Sequence, residues 1–477
     1  MSKLFQRDLF ETPTNTHSRA LKSIWVVGND VHGLSTAVAF ATALKPFGIK
    51  VGVVSLTGAK AKEQVSLHTC NGHLFEFHRR YQIPERAFMQ SQGVAFFTAM
   101  SVATASRPSE PVWLANDTWL PLFNGIELHQ VKRWLSDFAP VETSFAVAAA
   151  KAGKTVFPSG QQGTLGNSFE LGAVVDTEAY CTFLTQHAAE RGVTFVTSDD
   201  IAFEQCPHSG DITTLLLSNN QRIQCDWVVD ATGPQARVIG QVLKQPLESW
   251  HAYSPISLLG ETTEPSASNT PGIAVSVNDT GYQQVQYLGG KKRTATFTAV
   301  HSGVGESEAG FRNPVSHNCL AVGPAAYHID VPGMSTLHIT HRILERFLNV
   351  VPCLPAPVTW GRAFNRSTKQ DCEHLRDFGC LLLSAMATRQ QETGKPWQVL
   401  PKLSDSLDQA LTLFNESARC TVPPDAMIHR QRWLDALALA SSNEQAFEPL
   451  LNAVSQTSGQ QFLQRIATQI QSLVSQC

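Results

Sequence analysis

The chain has 477 residues, enough for two or three domains with a sizeable core. It is 43% hydrophobic and 16% charged with a formal net charge of −3, so there is no electrostatic case for nucleic acid or an anionic membrane as partner. No apolar run reaches the roughly 18 residues of a membrane span, and Met1 to Leu21 lacks the apolar stretch of a secretory signal; a cytoplasmic location is expected.

Ile24 to Val27 form a short apolar run that turns at Gly28, and Leu34 to Lys45 has helical spacing until Pro46 stops it. The turn Gly28-Asn-Asp-Val-His-Gly33 has the outline of a nucleotide-binding strand-turn-helix, with glycines in the first and third places. The second place holds Asp30, which sets a carboxylate where a phosphate would lie against the helix N-terminus. Lys50 to Leu56 reads as a second buried strand. Where a ribose-binding acid would close it stands Ser55, and the next acid is Glu63, so the charge-assisted bond of a carboxylate is lost.

Asn71 to Arg80 is expected to be helical, with Leu74, Phe75 and Phe77 on or near one face, and Pro84 starts another helix. Arg79 and Arg80 are read as a helix-end pair facing solvent or the carbonyl dipole. Pro108 to Pro121 is expected to be loop, as is the Gly-, Lys- and Gln-rich run Lys151 to Asn167. Asp176 to Gly192 is a helix with an acidic start and a glycine stop. Strands follow at Val193 to Val196, Asp211 to Ser218, Arg222 to Cys225 and Trp227 to Asp230, the last running into Asp230-Ala-Thr-Gly233.

Alternating segments between Ser254 and Val300 predict an antiparallel sheet. Asn318 to Asp330 is a buried strand entering a Gly/Ala turn, and Met334 to Asn349 is helical with an apolar stripe. Beyond Pro355, Glu373 to Thr388, Ser404 to Glu416 and Gln431 to Cys477 read as mostly helical. The ten cysteines contain no C-x-x-C pair and are read as buried apolar residues, and the sixteen histidines form no metal-binding spacing. His328, Asp330, His338 and His341 offer acid-base groups, but the expectation is that they cap a helix or lie on its surface.

The order of these pieces resembles the flavin-dependent tryptophan halogenases. It rests on the Gly28 to Ala37 turn, Ile83 to Met89, the Asp176 to Gly192 helix, Trp227 to Gly233, and above all Asn318-Cys-Leu-Ala-Val-Gly-Pro-Ala-Ala-Tyr with the helix that follows. Phe364-Asn-Arg, Leu375 to Phe378 and Trp397 extend it. The resemblance implies an α/β fold: a glutathione-reductase-type, Rossmann-like FAD-binding domain, an inserted antiparallel-sheet substrate domain and a helical C-terminal region. The expected division is a tail over 1–21, a discontinuous FAD-binding-type domain over 22–355 with inserts at about 71–170 and 250–312, and a helical cap over 356–477. It implies FAD as cofactor, an aromatic substrate, a flavin reductase partner and a possible homodimer. Cofactor contacts would come from Gly28, Asp30, Gly33, Ser55, Asp230, Gly233, Gly323, Ala325 and Ala326, with Asp30, Ser55 and Pro324 working against them.

The residues that direct halogenation in the family are missing. Its lysine falls on Phe97, and its glutamate on Gly333, or on Met334 after a shift of one residue. Its W-x-W-x-I-P signature corresponds to Gly281 to Tyr287, and its G-E-A-T loop to Leu67-His-Thr-Cys70. The expectation is an FAD-dependent oxidoreductase of the monooxygenase and halogenase group, acting on an aromatic or large substrate without tryptophan halogenation. The alternative is a non-catalytic relative that keeps the fold as a binding or assembly partner.

Overall fold

The computed structural model describes residues 19–57, 66–90, 93–104, 107–138, 140–268, 272–299, 309–422, 426–443 and 445–477. Most of the N-terminal tail and Glu63 lie outside them. The apolar strand Ser23–Val27 sits inside a six-stranded sheet, parallel to Lys50–Leu56 on one side and Trp227–Asp230 on the other. Thr194–Ser198 extends the sheet at one end, and Cys319–Ala321 and Val315–Ser316 at the other. The three central strands are mostly buried and read as continuous apolar runs rather than alternating ones. Gly52 interrupts its strand because a Cβ there would lie 2.4 Å from the Trp25 ring.

The helix Val31–Leu44 lies between this sheet and the helices Thr177–Glu190 and Leu337–Asn349. Its alanines allow that close approach, and Phe40 stacks on Phe347 at 5.3 Å. A second six-stranded sheet runs from Ile256–Pro265 through the antiparallel strands Lys291–Ala299, Gly281–Leu288 and Ile273–Asn278 to Ala99–Thr104 and the edge strand Arg107–Ala115. The junction of Ile273–Asn278 with Ala99–Thr104 is parallel. Alternation divides this sheet's faces: Met100, Val102 and Leu114 join the main core, while Ala99 and Ala115 join a second core with Phe145, Phe169 and Leu463.

Two expectations change. The loop expected over Pro108 to Pro121 is a strand as far as Ala115. Its prolines are tolerated because an edge strand has one side free of ladder bonds. The C-terminal region is helical as expected, but its first helix runs Val358–Gln391 rather than starting at Glu373. Phe364, Thr368 and Cys372 are buried at helical spacing there, hidden in sequence by the polar residues between them. All ten cysteines are unpaired, and no helix among the described residues is long and apolar enough to cross a membrane.

Candidate functional site

Three segments converge at the C-terminal edge of the parallel sheet. The Gly28 turn packs on Ala231, whose N–H donates to the Val27 carbonyl at 2.9 Å, and Val322 N–H donates to the Asp230 carbonyl at 3.0 Å. Gly28 and Gly33 are demanded by this packing. At Gly28, with φ +116°, a Cβ would lie 2.1 Å from the Ala231 carbonyl oxygen, and at Gly33 2.4 Å from the Gly28 oxygen. The sequence motif therefore has a structural role whether or not a nucleotide binds.

The polar groups of this crevice are engaged by the chain itself. Asp30 is the N-cap of the first helix, its Oδ1 accepting from Gly33 N at 2.8 Å, so a carboxylate covers an amide that would face a phosphate. Asp230 is wholly buried. It accepts from Thr232 N and Oγ1 at 3.0 and 2.6 Å and from Val238 N and Ile239 N at 2.8 Å each, which ties down the π-helical turn Arg237–Val242. Burial raises its pKa, and these donors oppose the rise.

Between the first turn and Gly323 lies the His32 ring. A Cβ on Gly323, where φ is +59°, would come within 2.5 Å of His32 Cγ, and His32 Nδ1 is 2.8 Å from Thr340 Oγ1. The same hydroxyl accepts from Gly323 N at 3.1 Å. His68 stands edge-on to His32 at 5.9 Å, with Nδ1 2.8 Å from Ser335 Oγ. The His32 ring thus stands between the 28–33 turn and Gly323, in the space that separates two of the converging segments. In this arrangement the residues present do not fit FAD. Ala325 and Ala326 are buried, Ser55 is half-buried at the end of its strand, and Gly233, at φ +67°, has open space where a Cβ would point.

The positions matched to the halogenase lysine and glutamate are structural as well. Phe97 is buried, its ring covering Gly172, where a Cβ would lie 2.4 Å from Cζ. Gly333, at φ +70°, donates its N–H to Gln284 Oε1 at 2.9 Å, and a Cβ there would meet Met100 Sδ at 2.3 Å. Beside it is a residue that the sequence reading did not single out. Arg432, 1% exposed, donates from Nη1 to Asn71 Oδ1 at 2.9 Å, while its Nε and Nη2 have no partner. Burial lowers its pKa to about 10. No local motif marks it, because its surroundings come from distant parts of the chain.

His338 and His341 overturn the surface expectation: both are buried, on the inner face of the helix Leu337–Asn349. His73 stacks on His338 at 3.4 Å and His341 on Phe77 at 3.7 Å. Burial pushes the His338 pKa down to about 3 and those of His73 and His341 well below the ordinary range, so all three are neutral. They line a cleft of about 230 Å³ with Glu345 and Arg342. On its wall His429 Nε2 lies 2.9 Å from Glu170 Oε2. Their one-turn spacing was visible in sequence; the partnership with His73 and His429 was not. Among the described residues no three His, Cys, Asp or Glu side chains are arranged to hold a metal ion. His328 and Asp330 lie apart from this cleft as a loose 3.8 Å pair, Arg79 pairs with Glu85 at 3.7 Å, and Arg80 donates to Asn349 Oδ1 at 2.7 Å.

The family model described as tryptophan halogenase matches residues 23–260 and 283–456. Among solved structures, a flavin-dependent halogenase from Xanthomonas campestris superposes with a TM-score of 0.83 at 18% identity, covering 96% of each chain. A flavin-dependent halogenase from Brevundimonas sp. BAL3 gives 0.83 at 18%, covering 96% of this chain and 97% of its own. A tryptophan 6-halogenase from Streptomyces toxytricini gives 0.79 at 15%, covering 95% and 97%. At these identities the structures establish the fold. No curated protein sequence matches the chain.

Proposed function

This chain belongs to the tryptophan halogenase family, and from that premise we propose that it is a member without halogenase activity, whose flavin crevice is closed by its own side chains and which works by binding. The observation that carries this reading is the His32 ring set against Gly323 and bonded to Thr340, with Asp30 capping the helix where a phosphate would sit. Phe97 and Gly333 support it, since neither offers an amine or a carboxylate to the reaction, and a Cβ at Gly333 would collide with Met100. With the crevice filled, no chemical step runs through a flavin here. What these residues do is hold helix to sheet and exclude solvent. Supplied with a flavin reductase, FAD, bromide and tryptophan, the purified protein is expected to yield no brominated product; turnover above the reductase-only background would refute the reading.

A second reading is an FAD-dependent oxidoreductase acting on an aromatic or large substrate with a flavin reductase as partner. It is favoured by one observation: the three cofactor-bearing segments still meet, and the space above Gly233 is open. Rotation of His32 would reopen the passage in that case, and the purified protein would show flavin absorbance bands. A cytoplasmic location, a homodimer and the division at about residue 355 belong to the same proposal. Cell fractionation, light scattering and limited proteolysis test them in turn.

A further inference from the structure

On the face of the second sheet that packs the helix Phe145–Lys151 there is a separate cavity of about 260 Å³. Its acidic end is Asp117, just beyond the edge strand Arg107–Ala115, and Asp435 on the helix Arg430–Ala440. Asp117 is 0% exposed, and neither of its oxygens meets a donor in hydrogen-bond geometry. The Ser144 hydroxyl, engaged in capping its helix 3.1 Å from Val147 N, favours the charged form only in part. Thr143 Oγ1, buried beside it, is also without a partner. Asp435, by contrast, accepts from Ala115 N at 3.0 Å and from Gln431 Nε2 at 2.8 Å.

Burial pushes the Asp117 pKa up to about 8, with the charges of Asp435 and Glu142 adding to the rise and Lys132 opposing it; burial takes Asp435 to about 6. Lys151, at the rim, is held by Glu142 at 2.7 Å. The remaining wall is mixed: Lys132 and Gln431 line it together with an apolar strip of Pro111, Trp113, Leu120 and Val147. A buried carboxyl without a cation in direct contact stays protonated, and an incoming cation that displaces the proton restores its charged form. A metal ion does not suit the site, since no three ligating side chains converge among the described residues. An alkylammonium does: its N–H groups give charge-assisted bonds to carboxylates, and its apolar body matches the strip formed by Trp113 and Leu120.

We propose that this cavity binds an apolar primary amine, with its ammonium group between Asp117 and Asp435 and its hydrocarbon part against Trp113 and Leu120. The site is independent of the flavin crevice and stands whichever reading of that crevice holds. Lys132, exposed on the helix Leu128–Trp134, is the internal cation that competes with the ligand.

The test is calorimetric titration of the full chain at pH 7 with phenethylamine and with its neutral counterpart, phenethyl alcohol. The amine is expected to bind at least about tenfold more tightly than the alcohol and to release a proton, seen as heats that vary with the buffer's ionisation enthalpy. Asp117→Asn and Asp435→Asn should each weaken the amine at least about tenfold while leaving the alcohol unchanged, and Lys132→Met should retain amine binding. Thermal melts establish that each variant is folded. Equal affinity for amine and alcohol, amine binding undiminished in folded Asp117→Asn, or no amine binding by the wild type would overturn the proposal. Binding by Lys132→Met alone would also overturn it, by showing that Lys132 fills the site.

Discussion

Two buried aspartates at the ends of strands, Asp230 and Asp117, divide the molecule's two candidate sites. Asp230 accepts four hydrogen bonds from its own neighbourhood, in a crevice where Asp30 and His32 are also engaged by the chain. Asp117 is equally buried, yet its oxygens meet no donor in hydrogen-bond geometry. A buried polar group with partners from its own chain works as structure, whereas one without partners keeps a penalty that a ligand can remove. On the proposals made above, that criterion assigns the crevice of Gly28, His32 and Asp230 to the scaffold and leaves the cavity beside the edge strand for a ligand.

The largest effect that would sharpen this contrast is on the crevice glycines. Gly28→Ala is expected to destabilise the protein by about 3 kcal/mol or more, because the added methyl meets a backbone carbonyl at a left-handed φ. Urea unfolding measures it, and a variant as stable as the parent would mean that the glycine serves a ligand rather than packing.

The next effect depends on pH. A carboxyl whose folded pKa is raised contributes stability fully present below its unfolded pKa, lost as pH rises through the folded value. For Asp117, raised to about 8, the loss runs from about pH 4 to about pH 8. Buried His73, His338 and His341 act with the opposite sign, their folded pKa values being lowered: they remove stability as pH falls below about 6.5. Stability should therefore peak near pH 6.5 and fall by about 1–2 kcal/mol toward pH 8, and Asp117→Asn should abolish the fall on the alkaline side. An unchanged alkaline limb in that variant would show that Asp117 is ionised and partnered.

The smallest effect is at the cap. Asp30→Ala should lower stability by about 1 kcal/mol and Asp30→Gly by a few tenths. If Asp30→Gly alone allowed FAD to bind, His32 would not be the obstacle described here.

The parallel strands, the Asp176-capped helix and the order of the segments were legible because they rest on local signals: apolar runs, caps and turn glycines. Asp30 was read as a carboxylate set where a phosphate would lie, and its capping bond to Gly33 gives it a structural role that the motif alone does not state. The start of the long helix at Val358 was hidden because every buried residue in its first turns is separated by polar ones. Arg432 and the pair Asp117 and Asp435 carry no motif, and the Gly28 to Gly33 motif that contains His32 does not state what its ring meets. Their meaning comes from contacts across the chain, such as His32 with Thr340 and Arg432 with Asn71, and no window of sequence contains both partners.

The most direct test of the central claim is FAD titration of the purified full chain, followed by flavin absorbance and fluorescence, beside the variant carrying both Asp30→Gly and His32→Ala. The closed crevice predicts no saturable uptake by the parent and measurable binding by the double variant. Saturable FAD binding by the parent protein, with His32 and Asp30 in place, would contradict it.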